Sequence, residues 1–419
     1  DAQYTLECEV EMSRDRILVA TDVLYDGKGV SGQHTIEIEN GRITGMAPGV
    51  SQDADYRGVV TPSFIDAHSH IGMDREGEPW TESETNDVLG QILPVNDPLN
   101  SVYFDDRAYS DAVDFGVLYS CIVPGSGNLF GGRAKVIRNF AGNRKTAQLK
   151  DYGYKMALGF NPRSTTDWKG ERPNTRMGVY AMLENRFDEI LMKREKALLK
   201  KERELHKLLS DEKVTADDRK RQEEFIQREF QQGFTPSETA VLELLDGKKT
   251  AKVHVHKEDD VLYLIEFAAR YGIKVTADHT CDVFHTEVFD ELADAGIPVV
   301  YGPLGSVGYK VELKHAFYQN AGLLMRSRAF YGLMTDHPVI WTPCLRDSLK
   351  FFLIHGMKPE EAISLITWKN ARILGIDDEL GTIEEGKTAS LVVWNKDPLD
   401  LSAFPVAVIA EGKPVRERL

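Results

Sequence analysis

Apolar and polar positions alternate at both ends of the chain and merge into longer apolar runs in between. Arg16-Ile-Leu-Val-Ala and His34-Thr-Ile-Glu-Ile-Glu carry the two-residue period of half-buried strands, with turn residues at Tyr25-Asp-Gly-Lys-Gly and at Asn40-Gly41. Gly381-Thr-Ile-Glu-Glu-Gly-Lys, Ala389-Ser-Leu-Val-Val-Trp and Val406-Ala-Val-Ile-Ala read as three more short strands. Short strands need partners, and chain ends commonly lie close together. Residues 1–61 and 370–419 are therefore expected to form one small β-sandwich domain. Between them, over 62–369, strand-like runs at 64–70, 117–123, 154–159, 251–256, 274–279, 298–302 and 329–335 alternate with helical stretches. That rhythm predicts an α/β domain of parallel strands, a (β/α)8 TIM-like barrel, with its weakest strand signals near 134–138 and 154–159. Residues 184–232 break the rhythm. They are rich in Glu, Lys, Arg, Leu and Gln, with acid–base pairs at i+3 and i+4. They read as a solvated helical hairpin inserted in the barrel, with an active-site lid or a homo-oligomer contact as the alternative.

Composition narrows the partners. The 419 residues are 42% apolar and 28% charged, an ordinary globular balance. A net charge of −15 disfavours nucleic acid as a partner. No apolar run approaches the ~20 residues of a membrane span, and the N-terminus shows no secretory pattern. Cys8, Cys121, Cys281 and Cys344 are scattered, with no C-x-x-C pair. They are expected to be reduced, which suits the cytoplasm.

The chemistry gathers at the ends of apolar runs. His68 and His70, in Phe64-Ile-Asp-Ala-His-Ser-His, are spaced i and i+2. On a strand both rings share a face, about 6.6 Å apart. Asp66 lies on that face too and reads as a supporting carboxylate. Lys252-Val-His-Val-His-Lys offers His254 and His256, Val275-Thr-Ala-Asp-His ends at His279, and Leu333-Met-Thr-Asp-His-Pro offers Asp336 and His337. In a parallel barrel the C-terminal strand ends open onto one face, so these groups would converge. Several imidazoles, a carboxylate and no thiolate suit Zn²⁺ first, then Mn²⁺, Fe²⁺ or Ni²⁺. Pro124-Gly-Ser-Gly-Asn-Leu-Phe-Gly-Gly-Arg meets neither the dinucleotide fingerprint nor the P-loop spacing; it reads as an active-site loop. Arg172 and Arg176 are candidates for a substrate carboxylate or for structural ion pairs.

Taken together, Asp22-Val-Leu-Tyr-Asp-Gly, Pro62-Ser-Phe-Ile-Asp-Ala-His-Ser-His-Ile-Gly, Thr335-Asp-His-Pro and Gly381-Thr-Ile-Glu-Glu-Gly-Lys-Thr-Ala-Ser-Leu-Val-Val-Trp resemble the amidohydrolase superfamily, close to its imidazolonepropionase-like and prolidase-like branch. The resemblance implies His68 and His70 as first-strand metal ligands, His254 as the fifth-strand ligand with His256 as the alternative, His279 on the sixth strand and Asp336 on the eighth. It implies a metal-dependent hydrolase that cleaves a C–N bond of a small cyclic or linear amide with activated water. Asp336 would move the proton, and His279 would help steady the oxyanion. Many relatives carry a fourth-strand lysine or glutamate that bridges two metals. Lys155 reads as preceding an apolar strand and Phe160 cannot ligate, so one ion is favoured over two. A deaminase of a ring amidine is the alternative enzyme. Such relatives place a glutamate three residues after the fifth-strand histidine, where this chain has Lys257 or Asp259. An inactive metal-binding scaffold is the alternative of another class.

Overall fold

Turn chemistry sets the first hairpin. Asn40 and Gly41 both have positive φ, 50° and 81°. They join His34–Glu39 to Arg42–Pro48 with Glu39 opposite Arg42, the two-residue turn expected of an Asn-Gly pair. The computed structural model describes residues 16–163 and 171–418, so Cys8 lies outside the described residues. The hairpin belongs to a four-stranded sheet with Arg16–Thr21 and Tyr56–Arg57. A second sheet of six strands takes in both ends of the chain. In it Leu391–Trp394 pairs antiparallel with Val59–Pro62, and Pro405–Ala410 and Lys413–Glu417 extend the sheet. Ile17, Ile36, Ile38, Val60, Leu391 and Ile409 share one apolar cluster across these sheets.

A third sheet of eight strands forms a nearly closed, TIM-like barrel. Its strands are β1 (Phe64–Ser69), β2 (Val117–Ile122), β3 (Phe130–Arg138), β4 (Gln148–Ala157), β5 (Thr250–Lys257), β6 (Lys274–Asp282), β7 (Val299–Tyr301) and β8 (Tyr331–Leu333). Each pairs with its chain neighbour. Every residue of β1, β2, β7 and β8 is buried, as expected where both sheet faces are covered.

One strand departs from the all-parallel expectation. β3 runs antiparallel to both β2 and β4. Only residues 123–129 link β2 to β3, and only 139–147 link β3 to β4. A parallel crossover needs a dozen or more residues, so both links act as hairpins. The run at 134–138 is thus the second half of β3, and the run at 154–159 is the end of a strand that starts at Gln148.

The helical insertion lies between β4 and β5 and starts earlier than its charged stretch suggests. It comprises α1 (Arg176–Ser210) and α2 (Ala216–Gln232). Thr175 caps α1 by accepting from Gly178 N–H. Val179, Leu183, Phe187 and Ile190 form a buried stripe at helical spacing. Phe187 packs on Phe267 and Tyr271 of α3 (Glu258–Tyr271). This apolar first half hides the start of the helix from a search for charged runs. No described helix is long and apolar enough to cross a membrane.

Side chains close the barrel seam. Among the described residues no ladder joins β8 to β1. Asn370, on α4 (Trp368–Leu374), donates from its amide to Ile65 O of β1 at 2.6 Å and to Leu333 O of β8 at 2.8 Å. Asp66 accepts from Thr335 N–H at 3.1 Å and from the Thr335 hydroxyl. The Asp336 N–H reaches His68 O at 3.1 Å. Gly332 leaves room for this joint, because a Cβ there would lie 1.9 Å from Asn370 Oδ1.

The Asn370→Ala variant removes a donor shared by two buried carbonyls, and each unpaired group costs about 1–3 kcal/mol. Urea unfolding is expected to show a loss of about 2–4 kcal/mol. A loss under about 0.5 kcal/mol, the scale of a neutral surface change, would contradict this account of the seam.

Candidate metal centre

The eight strand-borne groups singled out above converge at one end of the barrel. Five histidine rings form a connected chain of contacts: His68 to His70 at 5.4 Å between centroids, His68 to His279 at 5.0 Å, His254 to His279 at 4.2 Å, His256 to His279 at 4.7 Å and His254 to His256 at 4.8 Å. Two sets of potential donor atoms fall within 4.8 Å of one another: His254, His256 and His279; and His68, His279 and Asp336. His279 belongs to both. His70 joins through Asp336, whose Oδ1 is 3.1 Å from His70 Nε2 and 3.5 Å from His68 Nε2. His254 and His256, alternatives on sequence grounds, both lie in the cluster.

Hydrogen bonds orient three of the rings. His68 Nδ1 donates to Asp278 Oδ2 at 2.6 Å, His70 Nδ1 to Val123 O at 2.7 Å, and His279 Nδ1 to Gly302 O at 3.0 Å. A carbonyl or carboxylate only accepts, so each ring carries its proton on Nδ1 and keeps a lone pair on Nε2. Those Nε2 atoms belong to the cluster. Burial lowers the pKa values of His68, His254, His256 and His279 well below the usual range, keeping the imidazoles in the neutral form that ligates metal. His279 Nε2 and His256 Nδ1 are buried with no hydrogen-bond partner. Orphaned buried nitrogens are costly unless something else satisfies them. Neutral imidazoles, orphaned nitrogens and an adjacent carboxylate together fit a divalent cation.

Asp336 sits just after β8, with φ of +53°. Burial works to raise its pKa, but its neighbours His70 and Lys155 outweigh it and hold the pKa at about 2. His279 and Thr280 also have positive φ, 81° and 52°. Strained non-glycine backbone of this kind concentrates at functional sites, where surrounding structure holds it.

Three residues of the site, Lys155, Asp278 and Glu312, escaped the sequence reading, and a fourth, Ser126, lies on the loop expected at the active site. Lys155 is within β4, not before it, and is fully buried. Its Nζ lies 3.3 Å from His68 Nε2 and donates to Ser126 Oγ at 3.0 Å. Burial brings its pKa down to about 8. Ser126, from the glycine-rich loop after β2, also shares a 2.9 Å hydrogen bond with His254 Nδ1. Asp278 links His68 to Lys252, whose Nζ is 3.0 Å from Asp278 Oδ2. Glu312, on the loop after β7, brings Oε1 to 3.5 Å from His254 Nε2. The available signal for Lys155 was a single charged residue inside an otherwise buried run.

The remaining candidates take supporting places. Asp66 ties β1 to Thr335, and burial raises its pKa to about 7. His337 accepts from Thr342 N–H through Nδ1 at 3.3 Å. Arg176 pairs with Asp260 and Asp259 of α3, and Arg172 Nε donates to Pro162 O at 3.1 Å. Cys281 is buried beside the cluster with its thiol pushed up to about 12 by burial, so it is not a thiolate. A cavity of about 160 Å³ opens beside Asp336 and His256, lined on its apolar side by Leu304, Val307, Leu313, Phe317, Val339 and Phe351.

The comparisons with known proteins bear on the fold and the family. A profile of the Amidohydrolase family matches residues 312–416. Amidohydrolase tasK of Hapsidospora irregularis is 24% identical over 369 residues, 84% of this chain and 36% of that protein. The chain therefore spans about a third of the length of this curated relative. A crystal structure of an amidohydrolase from Thermotoga maritima aligns at a TM-score of 0.81 with 27% identity, covering 96% of this chain and 100% of that one. A Xaa-Pro dipeptidase with methionine bound in its active site shares the fold at a TM-score of 0.55 and 14% identity, with 96% and 100% covered. Near-complete structural overlap with the Thermotoga protein, and a family match running through β8 into the C-terminal strands, support membership of the amidohydrolase superfamily.

Proposed function

We propose that the chain is a metal-dependent hydrolase of a C–N bond in a small cyclic or linear amide. The observation that carries this reading is the pair of donor groups sharing His279, built from neutral inward-facing imidazoles beside an ionised Asp336. His68, His70, His254, His279 and Asp336 are the proposed ligands, with His256 beside His254, and Zn²⁺ is the preferred ion. The same reading treats the two end sheets as a β-sandwich domain (1–61 and 370–419) apart from the barrel (62–369).

His68, His70, His254, His279 and Asp336 would hold a divalent cation, which when bound would supply Lewis-acid polarisation of the carbonyl and lower the pKa of water to about 7. Asp336, kept ionised, accepts the proton as water attacks the carbonyl carbon and returns it to the leaving nitrogen as the C–N bond breaks. His279 is better suited to nitrogen donation than to oxyanion binding, because its one proton is committed to Gly302 O. The sequence argument for a single ion rested on a missing fourth-strand group. Lys155 occupies that strand, but the reading keeps one ion, because His279, which both donor groups share, has a single free lone pair on Nε2. The apolar side of the cavity beside Asp336, with Leu304, Phe317 and Phe351, would suit an apolar substituent on the substrate.

Elemental analysis of the purified protein is expected to find at least one Zn²⁺ per chain. The His279→Ala variant, which touches both groups, is expected to lose nearly all of it. The Asp336→Asn variant is expected to lower kcat on an amide panel by about 10²–10⁴-fold. Unchanged metal in the first variant or unchanged rate in the second counts against the reading, and ammonia release from ring amidines alone would favour deamination.

The Phe317→Ala variant tests the substrate class. The preference in kcat/KM for an aromatic acyl amide over its acetyl counterpart is expected to fall about tenfold. An unchanged ratio would remove the cavity from the account.

A further inference from the structure

We propose that Glu312 is a further ligand of the metal centre, a carboxylate carried across the barrel mouth by the loop after β7. The inference rests on the reading of the site as a metal centre. Glu312 lies in the turn Val311–Leu313, where Val311 is 63% exposed, yet Glu312 itself is only 1% exposed. A carboxylate is seldom buried this fully without being paired or bound to metal.

Its surroundings fit the second case. Oε2 accepts from Phe160 N–H, just beyond β4, at 2.7 Å. Gly159 holds φ of +78°, and a Cβ there would lie 2.5 Å from Glu312 Oε2, so the end of β4 leaves a cradle for this carboxylate. Oε1 is 3.5 Å from His254 Nε2 and 3.5 Å from Lys310 Nζ. His254 Nδ1 is engaged by Ser126, so Nε2 is the nitrogen aimed into the cluster.

The 3.5 Å spacing is long for a direct hydrogen bond. It matches the separation of two ligands on one tetrahedral ion, about 3.4 Å for bonds of about 2.0–2.2 Å. The same 3.5 Å separates His68 Nε2 from Asp336 Oδ1 in the other donor group. His254, His256 and His279 alone offer a dication three neutral nitrogens and no anion. Glu312, which approaches the group through His254, would supply the missing charge and add a carboxylate to the three imidazoles once its side chain closes on a bound ion. The competing account makes Glu312 a tether only, held by Phe160 and Lys310.

Glu312→Gln separates the two, because an amide oxygen still accepts from Phe160 N–H while the negative charge is gone. Wild type, Glu312→Gln, Lys310→Met and His279→Ala are loaded with Zn²⁺ or Co²⁺. Metal per chain, affinity against a competing chelator and the Co²⁺ visible spectrum are then read. Glu312→Gln is expected to weaken binding by about 10–100-fold or more and to alter the cobalt spectrum, the scale seen when ligand-supporting groups are lost. Lys310→Met, which removes the tether's cation, is expected to retain wild-type affinity. If Glu312→Gln does not fold, Glu312→Ala is used, and added formate is expected to restore its metal affinity. Wild-type affinity and spectrum in Glu312→Gln, with metal lost in His279→Ala, would overturn this proposal and leave the wider reading standing. Metal retained in both variants would overturn both.

Discussion

The site depends on where three imidazoles put their protons. Asp278, Val123 and Gly302 each take a hydrogen bond from Nδ1 of His68, His70 and His279. Those bonds fix the tautomer and leave three lone pairs in the cluster. Without them the rings could turn or exchange protons, and the same five histidines would be a set of buried polar groups with a large desolvation penalty. The barrel makes the bonds possible, because each acceptor sits on or next to a strand neighbouring the histidine or across the mouth from it.

The same constraint accounts for the least regular parts of the fold. The seam between β8 and β1 has no ladder among the described residues, and this is where Asp336 must approach His68 and His70. Asn370 and Asp66 bridge it with side chains, which holds the strands together while leaving their ends free to shape the site. The reversal of β3 brings the glycine-rich loop back over the mouth, where Ser126 meets Lys155 and His254. The positive φ values of His279, Thr280 and Asp336 lie where β6 and the segment after β8 bring side chains to the cluster.

Much of this was legible from residue spacing. The i, i+2 histidines, the Asp-His at the end of β8 and the Asn40-Gly41 hairpin each have a local physical signature, and the structure brings them where that signature points. Residues whose meaning depends on distant partners were not legible. Lys155 was misread because β4 starts at Gln148, and its first residues, Gln-Leu-Lys-Asp, carry no clean alternation. Asp278 looked like part of a polar strand end, and only the fold shows that it reaches across to His68. Glu312 sits in an exposed polar turn, where a lone acid has no signature until β4 and β5 are in place around it. The direction of β3 followed from loop lengths. Its start at Phe130-Gly-Gly, however, reads as loop, so the short link to β2 could not be measured in advance.

The most direct test is a crystal structure of the zinc-loaded protein with data collected on both sides of the zinc absorption edge. The account predicts an anomalous peak about 2.0–2.2 Å from His279 Nε2, flanked by Asp336 and by Nε2 atoms of the first- or fifth-strand histidines. Zinc bound elsewhere on the molecule, with the Nε2 atoms of His68, His70 and His279 hydrogen-bonded to water or protein instead, would contradict it.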